Sequence, residues 1–150
     1  MGEYPAFKGH TGWVLSAAFS ADGKRIVSGS RDKSLMVWDP VEGACLQTLR
    51  SHTRGPRSVH ALPGGRVLSA CQGSHSAQIR VWNATSGRCL QTLSSRDGVL
   101  SGVAVLPDGC VLAATFDPLM EANARWRNIR RILEIDSGIT IWAPAGDRLS

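Results

Sequence analysis

The sequence predicts an all-β protein of three four-stranded antiparallel sheets, and three observations support this fold class. Residues 43–49 read Gly-Ala-Cys-Leu-Gln-Thr-Leu, and residues 87–93, 44 positions later, read Gly-Arg-Cys-Leu-Gln-Thr-Leu. Each of these segments starts five residues after a tryptophan, Trp38 or Trp82. Short apolar runs separated by turn residues fill the rest of each unit. A period of this length is typical of architectures in which one supersecondary unit recurs along the chain.

The individual strands follow from the apolar runs within each unit. Short runs bounded by Asp-Gly and Ser-Gly turns are typical of antiparallel strands joined by hairpins. The predicted strands are 14–19, 25–28, 35–38 and 45–49 in the first unit; 58–62, 67–71, 79–82 and 89–93 in the second; and 100–106, 111–115 and 139–142 in the third.

These units resemble WD40 repeats, which are the blades of a β-propeller. The resemblance rests on two signature dipeptides, Gly9-His10 and Trp38-Asp39, found together with the 44-residue period, and it covers nearly the whole chain. It implies a single domain over residues 1–150, divided into blade 1 over about 10–49, blade 2 over about 52–93 and a degenerate blade 3 over about 96–150.

In the WD40 family a histidine, a serine or threonine, an aspartate and the tryptophan form a buried hydrogen-bonded network. The resemblance maps this network in the first unit to His10, Ser28, Asp32 and Trp38. A buried polar chain in which every member is satisfied fixes the register between strands. These residues are therefore expected to be structural, and their types do not imply a catalytic triad.

The second and third units depart from this network. The second keeps His52, Ser69 and Trp82, but Ser76 stands at the aspartate position. In the third, arginine and alanine stand at the histidine and serine positions, and we expect that blade to depend more on apolar packing. The members that the third unit keeps are Asp136 and Trp142.

The N-terminal segment has the phase of an outermost strand. Tyr4 and Phe7 precede His10 by the spacings at which leucines precede His52, which predicts an outer strand over 4–8 that completes a blade. A closed propeller needs about four to eight blades, so three blades leave apolar lateral faces uncovered. Three explanations stay open: the chain is a piece of a longer protein, two chains assemble into one ring, or a partner covers an open arc.

The third unit contains an insertion over residues 116–134 with helical periodicity. Ala122, Trp126, Ile129 and Leu133 follow a 4-3-4 spacing, which predicts a short helix with one apolar face. Such a helix would protrude and dock a partner. Alternatively, the segment would fold back on the blade, with Trp126 filling an apolar gap.

Positive charge is concentrated in the middle of the chain. The net charge is +5, and the span between Glu42 and Asp97 contains seven arginines and no acidic residue. Such a surface would attract acidic protein segments or nucleic acid. Coding bias is the alternative explanation, because fourteen of the seventeen basic residues are arginine.

The predicted function is a non-catalytic protein–protein interaction scaffold or adaptor that binds through loops on the propeller rim. The alternatives are an RNA-associated module that uses the basic second blade, and a fragment of a larger WD40 protein without independent function. The candidate partner-binding residues, chosen for loop position and for charge or aromatic character, are Arg31, Arg54, Arg57, His75, Trp126, Arg127, Arg130 and Arg131.

The remaining features restrict the class of protein. No phosphate-binding loop, HExxH motif or nucleophile elbow is present, so neither an enzyme nor a cofactor is predicted. The cysteines lack metal-type spacing, and Cys45 and Cys89 are expected to be small buried hydrophobes. No apolar run reaches the roughly 18 residues of a membrane span. Since the N-terminus has no signal region, a cytoplasmic or else nuclear location is expected.

Overall fold

The computed structural model describes residues 3, 5–50, 52–72, 77–95, 99–106, 111–116, 128–133, 140–142 and 148–149. Its strands are β1 Val14–Phe19, β2 Ile26–Ser30, β3 Ser34–Trp38, β4 Cys45–Arg50, β5 Ser58–Leu62, β6 Arg66–Gln72, β7 Ala77–Asn83, β8 Cys89–Ser95, β9 Val99–Val105, β10 Val111–Phe116, β11 Asn128–Leu133, β12 Thr140–Trp142 and β13 Arg148–Leu149.

These strands form three antiparallel sheets in the order of the sequence. Blade 1 has the order β1-β2-β3-β4, blade 2 has the order β5-β6-β7-β8, and the third sheet has the order β13-β12-β11-β10-β9. The all-β architecture predicted from the repeat is therefore confirmed. The repetition extends to detail, because the last two strands of blades 1 and 2 shift register at the same place, next to Trp38 and next to Trp82.

The predicted helix in the third blade is wrong over its C-terminal half. Residues 128–133 form strand β11, which pairs with β10 from Val111↔Ile132 to Thr115↔Asn128. The residues of the insertion before 128, including Trp126 and Arg127, lie outside the described part. Without β11, strand β10 would expose unpaired backbone N–H and C=O groups along one edge. Pairing with residues 128–133 satisfies those groups. A short isolated helix is only marginally stable, so the sheet edge outweighs the helical spacing.

The position of β11 changes the plan of the third sheet. Thr140–Trp142, predicted as its third strand, is the fourth in order, and Arg148–Leu149 adds a fifth. Trp142 therefore lies on the fourth strand of its sheet, whereas Trp38 and Trp82 lie on the third strand of theirs. Asp136 lies outside the described residues.

The main core lies between blades 1 and 2. Because neighbouring residues of a strand point to opposite faces, blade 2 packs one face against blade 1 and the other against the third sheet. The cluster comprises Val27, Leu35, Val37 and Leu49 of blade 1 with Val59, Val67, Trp82 and Ala84 of blade 2. A second cluster joins Val111 of β10 to Leu62, Leu68, Ala70, Ile79 and Val81 of blade 2. Each fully buried side chain of this size contributes about 1.5–3 kcal/mol.

Two cysteine expectations are wrong. Cys45 and Cys89 are exposed, whereas Cys71 is buried. Both exposed cysteines begin the outermost strand of a blade, and no further strand of the described part covers them. The Cys45 thiol lies 3.4 Å from the carbonyl oxygen of Gln47. The repeated sequence around the two cysteines correctly indicates a repeated strand. Their exposure follows from the place of that strand at the outer edge of each blade.

The two edges of the blades carry different loops. We call the upper rim the edge where the chain enters β1 and β5 and turns from β2 to β3, at residues 11–13, 31–33 and 53–57. The lower rim holds the β1–β2 and β3–β4 turns of blade 1, at 20–25 and 39–44, and their counterparts in blade 2.

Candidate functional site

In blade 1, four side chains form a continuous hydrogen-bonded relay. The Trp38 indole N–H donates to Ser28 Oγ at 2.7 Å, and Ser28 Oγ lies 2.7 Å from His10 Nε2. His10 Nδ1 lies 2.9 Å from Asp32 Oδ2. A neutral His10 ring with its proton on Nδ1 satisfies all of these contacts, because the serine hydroxyl then donates to Nε2. The relay ties the loop before β1 to β2, to β3 and to the turn between them.

Asp32 is the centre of the upper-rim turn. Its carboxylate also accepts the backbone N–H of Thr11 at 3.0 Å and the hydroxyl of Ser34 at 2.6 Å. Partial burial pushes the pKa of Asp32 upward, but the hydrogen bonds from Ser34 and His10 outweigh it and hold the pKa well below its ordinary value. The carboxylate is therefore ionised at neutral pH and fully engaged within blade 1.

Blade 2 contains a shorter relay. The Trp82 indole donates to Ser69 Oγ at 2.8 Å, and Ser69 Oγ lies 2.6 Å from His52 Nε2. Within the described part of the chain, the buried His52 Nδ1 has no hydrogen-bond partner. Burial and the positive charge of Arg80 lower the pKa of His52 to about 4, so the ring is neutral at pH 7. Ser76, at the sequence position of Asp32, lies outside the described residues.

Ring contacts hold the N-terminal segment on blade 1. The rings of Phe7 and Trp38 meet edge to face, with centroids 5.7 Å apart. Gly9 lies so close to β3 that a Cβ there would be 2.9 Å from both the Met36 sulphur and the Trp38 ring. The glycine of the signature dipeptide is therefore required by a close approach. No strand is assigned to residues 5–8, and the outer strand over 4–8 stays a prediction, because it needs a further sheet to pair with.

The upper rim carries one prominent aromatic side chain, Trp13. This side chain is 75% exposed, and the Arg31 guanidinium carbon lies 5.6 Å from the centre of its ring. The Arg31 backbone N–H donates to the Trp13 carbonyl at 2.8 Å. The tryptophan is thus held by the turn beneath it while its side chain faces solvent. Such an arginine–aromatic contact contributes about 0.5–1 kcal/mol at an exposed site.

The loop leading into β5 lies directly on this turn. A Cβ at Gly55 would be 2.7 Å from Arg31 Cα and from the Ser30 carbonyl oxygen, so the two backbones are in contact. Pro56, next to it, is buried. Arg54 and Arg57 flank this contact and are exposed. Three predicted binding residues from two blades, Arg31, Arg54 and Arg57, therefore come together on one rim.

The structure does not describe the side chains of the other predicted binding residues. His75, Trp126 and Arg127 lie outside the described residues. Arg130 and Arg131 lie on strand β11, and the positions of their side chains are outside the description. Trp13 was not predicted as a binding residue. Its sequence signal is a tryptophan outside the repeat position of Trp38 and Trp82, placed just before a first strand.

The site shows no sign of metal chemistry in the part that is described. No cluster of three or more histidine, cysteine, aspartate or glutamate side chains that could hold a metal ion occurs among those residues. Among them, too, no helix has the length and hydropathy needed to cross a bilayer.

Three sequential antiparallel sheets, two of them held by a histidine–serine–tryptophan relay, define a protein of the β-propeller class. The family model described as "WD domain, G-beta repeat" matches residues 3–39 and 43–83, which is just over half of the chain. The chain therefore belongs to the WD40 repeat family, and the resemblance found in the sequence is confirmed.

Curated relatives match over a single repeat or little more. Nuclear distribution protein PAC1 of Arthroderma otae is 48% identical over 48 residues, covering 32% of this chain and 10% of that protein. F-box/WD repeat-containing protein 7 of Drosophila melanogaster is 50% identical over 48 residues, covering 32% and 4%. Vegetative incompatibility protein HET-E-1 of Podospora anserina is 56% identical over 36 residues, covering 24% and 3%. The chain thus spans a tenth or less of the length of each of these three relatives.

A solved structure supports the fold. The C-terminal WD40 domain of Sif2 superposes with a TM-score of 0.62, covering 72% of this chain and 30% of that domain at 21% identity. A likeness at this level of identity shows the fold alone.

Proposed function

We propose that this chain is a non-catalytic protein–protein interaction module whose binding surface is the upper rim of blades 1 and 2. The observation that carries the proposal is Trp13, largely exposed on a rim where Arg31, Arg54 and Arg57 from two blades meet. Tryptophan and arginine are the residues most enriched among those that dominate binding energy at protein interfaces.

The scaffold beneath the rim supports this proposal. The relay through His10 and Asp32 ties the β2–β3 turn to the loop before β1, and the Gly55 contact ties it to blade 2. A surface held in place before binding loses less conformational entropy when a partner docks. The matched relatives have names that refer to dissimilar processes, which agrees with a scaffold whose specificity lies in its loops.

Affinity capture with the full chain tests the proposal. A captured protein should form a stoichiometric complex with the wild type, and the complex should be lost when Trp13→Ala and Arg54→Glu are combined. Arg88→Glu is the matched control, because Arg88 is exposed on the lower rim. A complex that survives the upper-rim substitutions and is lost in the control would place the binding surface elsewhere. The predicted cytoplasmic or nuclear location is tested by imaging the tagged full chain.

Nucleic-acid association is the second candidate, and the span without acidic residues between Glu42 and Asp97 favours it. Binding to phosphates releases counterions, so affinity for a nucleic acid should fall steeply as salt is added. Capture of a protein that persists as salt rises would favour the protein-binding module.

We also infer that a second copy of the chain covers the part of the lateral face of blade 1 that the N-terminal segment leaves exposed. Cross-strand register places Phe19, Ile26 and Trp38 side by side on the face opposite to the core of blades 1 and 2. Phe19 there is 60% exposed, whereas Val59 and Val67 on the matching face of blade 2 are 4% and 1% exposed beneath blade 1. An apolar sheet face of this kind normally packs against another element.

The solution mass tests this second inference. Light scattering on the purified full chain should give a dimer, and Phe19→Glu should convert it to a monomer without unfolding it. Val41→Glu, at an exposed apolar residue of the lower rim, is the control and should leave the mass unchanged. A monodisperse wild-type monomer would rule out the second copy.

A further inference from the structure

The charges of the two rims of blade 1 are arranged differently. On the lower rim, acidic and basic side chains are mixed: Asp39 lies near Arg25, and Asp22 lies near Lys24. The upper rim carries the cations Arg31 and Lys33 in blade 1 and Arg54 and Arg57 in blade 2. Its only described acidic residue, Asp32, is occupied by His10, Thr11 and Ser34.

The upper-rim cations are therefore not neutralised within the described part of the chain. Among the described residues, the one contact within 4.0 Å between a basic side chain and a carboxylate joins His10 to Asp32. Arg31, Arg54 and Arg57 are exposed, and the guanidinium of Arg31 lies on the Trp13 ring. Guanidinium groups pair with carboxylates, and equally with phosphates, through two parallel hydrogen bonds, so these arginines favour an anionic ligand.

We propose that the upper-rim cluster of Trp13, Arg31, Arg54 and Arg57 binds an acidic peptide segment that carries an apolar anchor residue. This inference rests on the proposed function and names its partner class. The carboxylates of the segment pair with the arginines of the two blades, and its apolar residue packs on the exposed part of the Trp13 ring. Arg31 contributes to both contacts, because its guanidinium lies against the ring.

The aromatic content of the rim favours a peptide over a nucleic acid. Surfaces that bind single strands stack successive bases on several aromatic rings. Among the described residues of the upper rim, Trp13 is the single exposed aromatic side chain, and Arg31 lies over its ring. The other exposed aromatic side chains of the described part, Phe7 and Phe19, belong to the lateral face of blade 1. A row of stacking positions is therefore missing from this rim.

Selection from a random 12-residue peptide library, displayed against the purified full chain, tests the proposal. The expected result is enrichment of peptides with several Asp or Glu residues around one Leu, Phe or Trp. Affinity of a synthesised selected peptide is then measured by fluorescence anisotropy. Arg54→Glu with Arg57→Glu should lower it at least tenfold, and Trp13→Ala about fivefold or more. The controls on the lower rim, Arg88→Glu and Val41→Ala, should change it less than twofold.

The outcomes separate the partner class from the binding surface. Selected peptides that lose affinity in the upper-rim variants but are not acidic would overturn the acidic segment and leave the proposed function standing. Selected peptides that respond only to Arg88→Glu would overturn both. A 12-nucleotide oligouridylate that binds more tightly than the selected acidic peptides, with the same dependence on Arg54 and Arg57, would replace the peptide with nucleic acid. All variants are checked for wild-type circular dichroism, so that loss of binding is not loss of fold.

Discussion

Blades 1 and 2 have the same strand order, the same register shift beside the repeated tryptophan and a serine at the centre of the relay. They differ at the outer end of that relay. In blade 1, His10 Nδ1 meets the Asp32 carboxylate, whereas in blade 2 His52 Nδ1 is buried without a partner among the described residues. The comparison shows that a histidine bonded to the central serine can be buried without a carboxylate, while the carboxylate of blade 1 adds the contact with Nδ1 and holds the rim turn.

Removing the carboxylate of blade 1 should have the largest effect. Asp32→Ala leaves His10 Nδ1, the Thr11 N–H and the Ser34 groups without their acceptor. Leaving these partly buried donors without their ionised acceptor costs about 3 kcal/mol. The free energy of unfolding, measured by urea denaturation, should fall by this amount with an unchanged slope.

Asp22→Ala is the control for this substitution. Asp22 also accepts hydrogen bonds, from the Ser20 hydroxyl at 2.6 Å and the Lys24 N–H at 3.0 Å, but it lies on an exposed turn. Its loss should cost clearly less than the loss of Asp32, because water replaces these hydrogen bonds at an exposed site. Equal costs for the two aspartates would mean that the relay of blade 1 adds nothing beyond a local turn.

Blade 2 should give the protein an acid sensitivity of its own. The pKa of His52 is about 4 in the folded protein, against 6.5 ordinarily, because of burial and the charge of Arg80. The unfolded chain therefore binds this proton more tightly, and lowering the pH from 6.5 to 4 favours unfolding by at most about 3 kcal/mol. This loss starts below pH 6.5 and is complete near pH 4. Asp32 does not contribute in most of that window, because its pKa is lowered from 3.8.

Urea denaturation at pH 7.0, 5.5 and 4.5 measures this dependence. His52→Gln keeps a polar side chain near Ser69 but cannot take up the proton. The variant should therefore lose less stability than the wild type between pH 7.0 and 4.5. Identical pH slopes for the two proteins would show that His52 is not the source.

Adding the missing carboxylate should make blade 2 resemble blade 1. Ser76→Asp places an acid at the sequence position of Asp32. A hydrogen bond to His52 Nδ1 would stabilise the fold by about 1 kcal/mol at pH 7, and the negative charge would raise the pKa of His52. The weaker acid sensitivity that follows separates this effect from a general change in the turn. Ser76→Asn is the uncharged control, and an equal gain in both variants would exclude a role for the charge.

The sequence predicted blades 1 and 2 well because their signals are local and repeated. Trp38 and Trp82 recur with fixed spacing, and the relay residues follow from the family motif. The strand β11 was missed because its stability comes from pairing with β10, which a 4-3-4 pattern within residues 122–133 does not register. The exposure of individual side chains was the other feature that the sequence did not predict: Cys45 was expected to be buried, and Trp13 was not chosen as a binding residue. Cys45 and Trp13 are apolar residue types whose positions, on an outer strand and a rim loop, decide that they face solvent.

The smallest effect on stability is expected on the upper rim, and it distinguishes the rim from the relay beneath it. Trp13→Ala, Arg31→Ala and Arg54→Glu remove exposed side chains, so each should change the free energy of unfolding by about 1 kcal/mol or less. Arg54→Glu should cost least, because the other two substitutions also remove the contact between the Arg31 guanidinium and the Trp13 ring. Thermal and urea denaturation of the three variants measure these changes. A loss above about 2 kcal/mol in Trp13→Ala would make Trp13 part of the folded core. A small loss would mean that folding does not require Trp13. Its exposure on a rigid rim then agrees with a role in binding.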